Sequence, residues 1–177
     1  TATPIRKDGQ QPIIFMQCGP NRHHVDAKKQ AKKRPFSHFV LPRYTEFRLP
    51  LSLTEQYERP PIQTVYAELA NNSARNEMIV SDVVSALKDG RSPVILTERK
   101  DHVAFFADCL SGFSKHIITL QGGMGKKAHK QMLEELESIG DHEERILIAT
   151  GRYIGEGFDD ARLDTLFLAM PISWKGT

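Results

Sequence analysis

With 177 residues, 40% of them hydrophobic and 26% charged, the chain has the composition of a soluble globular protein and length for one substantial core with an appendage. No apolar run approaches the ~20 residues that span a bilayer and no signal peptide is visible, so no membrane partner is expected. Cys18 and Cys109 stand far apart without metal-ligand spacing, which excludes a disulfide framework or a zinc module and points to a reduced, cytoplasmic setting.

The net charge of +2 hides an asymmetry. Residues 1–61 carry 11 Lys/Arg against 5 Asp/Glu, a net +6, and residues 62–177 carry 13 against 17, a net −4. A basic first third beside a mildly acidic remainder is compatible with a polyanion partner.

The start, Thr1-Ala2-Thr3-Pro4, has no preceding structure, and the chain reads as a piece of a longer protein. Pro12 to Cys18 is a compact apolar run closed by Gly19-Pro20, and it is read as a short strand. Asp26 to Arg34 reads as a helix with Asp26 as N-cap and Pro35 as stop. Five of its last seven residues are basic, either a solvated helix face or a phosphate-contacting patch. Phe36 to Leu51 alternates loosely and predicts one or two edge strands broken by Pro42. Pro50, Pro60 and Pro61 punctuate a connector, so residues 1–58 form an appendage and residues 59–177 the main domain.

From there the pattern is regular. Helices are expected over Ile62–Ala70, Ser73–Lys88, Asp101–Ser111 and Lys126–Ile139, each with apolar residues at helical spacing. Gly90, Gly112 and Gly140 stand just past the last three. Short continuous apolar runs at Val94–Leu96, Ile117–Leu120, Ile146–Ala149 and Leu166–Met170 predict strands covered on both faces. Alternating strands and helices with short links predict an α/β fold with a parallel sheet and helices on both faces. Phe105, Phe106, Met132 and Cys109 are read as core, and Ala128 as facing inward on its helix.

Three links follow successive strand ends: Thr97-Glu98-Arg99-Lys100, Gln121 to Lys126 (QGGMGK), and Thr150-Gly151-Arg152. In a parallel sheet they lie side by side on one rim, and the helix start after a link presents free amides and a positive dipole end. Glycines let an anionic backbone approach closely, and threonine offers a hydroxyl. A row of such links fits an extended polyanion better than one small phosphate. The middle link is not a P-loop: position 120 is Leu where that motif has Gly, and position 127 is Lys where it has Ser or Thr. No acidic DExH-type box and no metal-ligand cluster is present. His23, His24, His102, His116, His129 and His142 are read as surface histidines.

These residues together resemble a superfamily 2 helicase of the DEAD/DEAH and type III restriction-subunit kind. Thr1-Ala2-Thr3-Pro4 with Arg6-Lys7-Asp8-Gly9 resembles motif III. Val94 to Val103 (VILTERKDHV) resembles motif IV, and Leu120 to His129 (LQGGMGKKAH) resembles motif IVa. Ile148 to Asp159 (IATGRYIGEGFD) resembles motif V, the most specific of the four. The order is the family's, and it covers essentially the whole chain. It starts at motif III and stops short of motif VI, and His129 stands where motif IVa often carries Arg.

The resemblance implies a RecA-like lobe, the second of two. It implies that Thr97, Arg99, Gly122, Gly123, Thr150 and Gly151 touch the sugar-phosphate backbone of a nucleic acid, single-stranded or duplex, with DNA expected. Gly157 and Asp159 would face the nucleotide cleft, and Glu156, Thr1 and Thr3 would couple the two sites. ATP and Mg would be held between this lobe and the first RecA-like domain in cis. The chain alone is expected to hydrolyse no ATP. Two other classes stand beside this one: a non-motor RecA-like module that only holds nucleic acid or protein, and a Rossmann-type nucleotide enzyme, disfavoured because no GxGxxG follows a strand.

Overall fold

The structure, a computed structural model, describes residues 9–20, 22–23, 37–123, 125–151 and 160–171, without the side chains of Gln11, Lys126 and His129. By internal contacts the chain divides into two units, essentially residues 1–45 and 46–175. The helix expected over Asp26–Arg34, and the residues Thr1, Thr3, Glu156, Gly157 and Asp159, lie outside the described residues.

In the first unit the apolar run expected as a strand is a helix, α1, Gln11–Cys18. Proline at its first turn removes an N–H that has no partner there anyway. Gly19, at φ +79°, ends it with its N–H on the Phe15 carbonyl at 2.9 Å. A helix satisfies its backbone locally, whereas a strand needs a ladder, and no described strand precedes or pairs with this run. The edge strands expected over Phe36–Leu51 are also absent: residues 37–50 have no regular structure. Phe39, Val40 and Leu41 are all more than four-fifths exposed. Alternation alone does not make a strand where Pro42 and Pro50 withhold donors and no partner lies alongside.

The second unit begins with an unexpected short helix, α2, Leu51–Gln56, inside the predicted connector, followed by α3, Ile62–Asn71. Both start directly after a proline, Pro50 and Pro61. Helix α4 spans Ser73–Lys88, the range read from its sequence. The Asn72 side chain accepts the Arg75 N–H at 2.9 Å, and Gly90 at φ +70° closes the other end with its N–H on the Leu87 carbonyl. Asn72→Ala is expected to lower stability by about 1 kcal/mol in a denaturant titration, while Asn72→Asp should stay near the parent value.

Then come β1 (Pro93–Thr97), α5 (Lys100–Leu110), β2 (His116–Leu120), α6 (Lys126–Ser138), β3 (Arg145–Thr150) and β4 (Thr165–Leu168). The sheet is wholly parallel, in the order β2-β3-β1-β4. Each side chain direction follows from the strand's period of two. On one face Ile95, Ile146 and Ile148 pack with Ile79, Val83 and Leu87 of α4 and Val103, Phe106 and Leu110 of α5. On the other, Val94, Leu147, Ala149, Ile118 and Leu120 pack with Met132 and Leu136 of α6 and with Ile139. This is the expected α/β, RecA-like layering.

Three core assignments need correction. Phe106 and Met132 are buried, but Phe105 and Cys109 are exposed. They sit on the outer side of α5, where helical spacing reaches past the sheet-facing stripe. Ala128, read as inward, is exposed in the first turns of α6. Strand β4 is covered on one face rather than two: it is an edge strand, and Leu166 and Leu168 are about half exposed. With Val94, Leu96, Leu163 and Met170 they line a cavity of about 390 Å³.

Candidate nucleic-acid interface

The sheet order places the predicted links side by side at its C-terminal end. Thr97 is level with Thr150, and Leu120 with Ala149, so the turns after β2, β3 and β1 are successive neighbours on one rim. The Gly151 N–H donates to the Thr97 carbonyl at 3.0 Å, extending the ladder past the strand ends. Gly122 and Gly123 form the turn after β2, and Gly123 has φ +94°. A Cβ there would stand 3.1 Å from Lys100 Nζ, so this turn lies against the start of α5. A Cβ on Gly151 would stand 2.8 Å from Glu98 Oε1, so the turn after β3 lies against the β1 link too. Thr97, Arg99, Gly122, Gly123, Thr150 and Gly151 are thus brought together.

Two helices start from this rim. The N-cap residues of α5 and α6, Arg99 and Gly125, put no side-chain bond on the first amides, and in α5 Asp101 Oδ1 takes one of them, the His102 N–H. Lys100 opens α5, and Lys127 stands in the first turn of α6. Positive side chains at the positive end of a helix dipole are unfavourable by a few tenths of a kcal/mol each unless an anion offsets them. No acidic residue stands in the first turn of α6, and Asp101 stands in that of α5.

The side chains differ in what they present. Thr97 is 1% exposed, and its Oγ1 lies 2.9 Å from His102 Nδ1. His102 Nε2 lies 3.0 Å from Asn76 Oδ1, and Asn76 Nδ2 donates to the Ala70 carbonyl at 2.7 Å. The direction of every proton follows. Asn76 Oδ1 is an acceptor, so His102 carries its proton on Nε2, and Nδ1 accepts from the Thr97 hydroxyl. The Thr97 hydroxyl therefore donates inward, away from the rim. His102, expected on the surface, is 1% exposed. Its ring packs on Phe106 at 4.3 Å between centroids. Burial, and then the Arg75 guanidinium, push its pKa down to about 4, so the ring is neutral at pH 7.

Arg75 donates to the Ala169 carbonyl at the end of β4, and burial lowers its pKa. Tyr66 Oη donates to the Pro171 carbonyl at 3.3 Å. Arg99, by contrast, is on the rim. Its Nε lies 3.0 and 3.1 Å from the two Asp101 oxygens, and its Nη2 lies 2.5 Å from Oδ2. Asp101 Oδ1 also accepts the His102 N–H at 2.8 Å. The hydrogen bonds with Asp101 raise the Arg99 pKa, and those with Arg99 lower that of Asp101.

Sequence reading missed Asn76, Asp101 and His102. No motif joins Asn76 to His102, 26 positions apart; the one local signal was Asp101 in the first turn of a predicted helix. Among the described residues no group of three His, Cys, Asp or Glu is placed to hold a metal ion. No helix among them is long and apolar enough to cross a membrane.

No family model matches the chain. It is 29% identical over 102 residues to the transcript termination protein A18 of fowlpox virus (strain NVSL), across 56% of this chain and 21% of that protein. Among solved structures, that of T4 UvsW superposes with a TM-score of 0.52 at 15% identity, covering 70% of this chain and 24% of the other. That likeness shows a helicase-like fold. The chain spans about a fifth of the viral protein and a quarter of UvsW.

Proposed function

We propose that this chain is the second RecA-like lobe, with its connector, of an ATP-dependent superfamily 2 helicase or translocase acting in the cytoplasm. Residues 59–177 form the lobe and residues 1–58 the connector. The lobe holds the backbone of a nucleic-acid single strand, DNA first, along its C-terminal rim and forms one wall of a nucleotide cleft shared with the first RecA-like domain. The observation that carries this reading is the rim itself: three strand-end links in register, two helix starts whose N-cap residues make no side-chain bond, and lysines in the first turns of both helices. The helicase-like fold and the similarity to a viral transcript termination protein support it.

Contacts of this kind go to phosphates and carry no base information, so little sequence preference is expected. The ATP and Mg implied by the reading would lie against Gly157 and Asp159, outside the described residues.

A labelled single strand titrated with the purified chain at several salt concentrations tests the proposal. Each phosphate neutralised contributes about −0.7 to the slope of log K against log salt for single strands. Three links predict a slope of about −2. Binding that is absent, or that does not weaken with salt, overturns the proposal.

A further inference from the structure

The Arg99–Asp101 pair is exposed, with side-chain accessibilities of 29% and 60%, so it adds little to folding stability. It also places a carboxylate beside a cation on a surface read as binding a polyanion, where its charge alone would weaken binding. What the pair does offer is geometry. Arginine carries five N–H donors in a plane. Asp101 engages the side edge, Nε and Nη2. The end-on edge, one N–H from each of Nη1 and Nη2, is not used in that engagement. It matches the two non-bridging oxygens of a phosphodiester. Asp101 is itself anchored, because its Oδ1 accepts the amide of His102 at the start of α5. His102 is in turn fixed by Thr97 and Asn76 inside the core.

We propose that Asp101 is a positioning residue that holds the Arg99 guanidinium edge-on, so that its second edge is presented to one phosphodiester of the bound strand. Thr97 and His102 serve the same end from within, and Thr97 is not itself a phosphate donor through its hydroxyl. The inference rests on the reading of the rim as a single-strand backbone site.

Two variants separate position from charge. Asp101→Asn raises the net charge by one, so if Asp101 acts only as a charge, binding of labelled oligo-dT by the 177-residue chain tightens. If Asp101 positions Arg99, binding weakens by about three- to tenfold. Arg99→Lys keeps the charge and loses the second edge, and a loss of similar size is expected while Asp101 and its contact to His102 stay intact. In an Arg99→Ala background, Asp101→Asn should leave binding unchanged or tighter, since no guanidinium remains to orient. Asp101→Glu should lose less than Asp101→Asn. Equal or tighter binding by Asp101→Asn, or parental binding by Arg99→Lys, overturns the inference alone, provided the parent chain binds oligo-dT with the expected salt dependence. Failure of the parent chain to bind overturns the rim reading and this inference together.

Discussion

Asp160→Ala is expected to lower the stability of the folded chain by about 3–5 kcal/mol. Arg145 Nη2 lies 2.6 Å from both oxygens of Asp160, and the two side chains are only 3% and 9% exposed. Removing one partner leaves the other as an uncompensated buried charge, which is what makes the loss large. The effect is not confined to the pair. Asp160 Oδ1 accepts the Arg162 N–H at 3.1 Å, and the Arg162 guanidinium donates to the carbonyls of Ile139 and Glu143. One carboxylate thus ties the chain entering β4 to the start of β3 and to the end of α6. Replacing both Arg145 and Asp160 by leucine removes both charges and should cost less than either single truncation. Urea unfolding of the four proteins measures the cycle. A loss under about 1 kcal/mol for Asp160→Ala would mean that the pair behaves as a solvated one.

Lowering the pH from 6.5 to 4 is expected to cost about 3 kcal/mol through His102. Its pKa falls from 6.5 to about 4 in the folded chain, chiefly by burial and then by the Arg75 guanidinium; Arg99 adds to this and Asp101 opposes it. The unfolded chain therefore takes up the proton first. Stability begins to fall as pH drops through 6.5, falls at up to 1.36 kcal/mol per pH unit, and levels below about 4. Protonation also destroys the acceptor on Nδ1 that the Thr97 hydroxyl uses. His102→Gln should remove this segment of the pH profile while the remaining titrating groups keep theirs. A parent profile that is flat between pH 6.5 and 4, or a His102→Gln profile that matches the parent, contradicts the assignment.

The regular half of the fold was legible from residue patterns. Helix α4 came out with its observed bounds because Gly90 marks its end and Ile79, Val83 and Leu87 repeat at helical spacing before it. The central strands were legible because Ile146–Ala149 is apolar without interruption, the pattern of a strand covered twice. The same signal misled at Pro12–Cys18, since a short apolar run reads alike in a helix and in a strand. It misled again at Leu166 and Leu168, where only the sheet order reveals that β4 has one neighbour.

The rim was legible for a topological reason: parallel strands joined by helices put all their outgoing links at one end. What the side chains do there was not. Whether Thr97 turns its hydroxyl outward or inward depends on a histidine five positions on and an asparagine in the preceding helix. Those partners meet only once α4 and α5 have packed on the same sheet face.

The strand order also dictates a timetable. β1 lies between β3 and β4, so its ladder partners begin at Leu147 and Thr165, tens of residues further along the chain. During synthesis, β1 has no neighbour on either side until that later stretch has emerged. The nearest strand in sequence, β2, pairs with β3 instead. Folding is thus governed by non-local pairing, which is slow, and nascent chains that end before Arg145 carry a strand with two bare edges and an aggregation hazard.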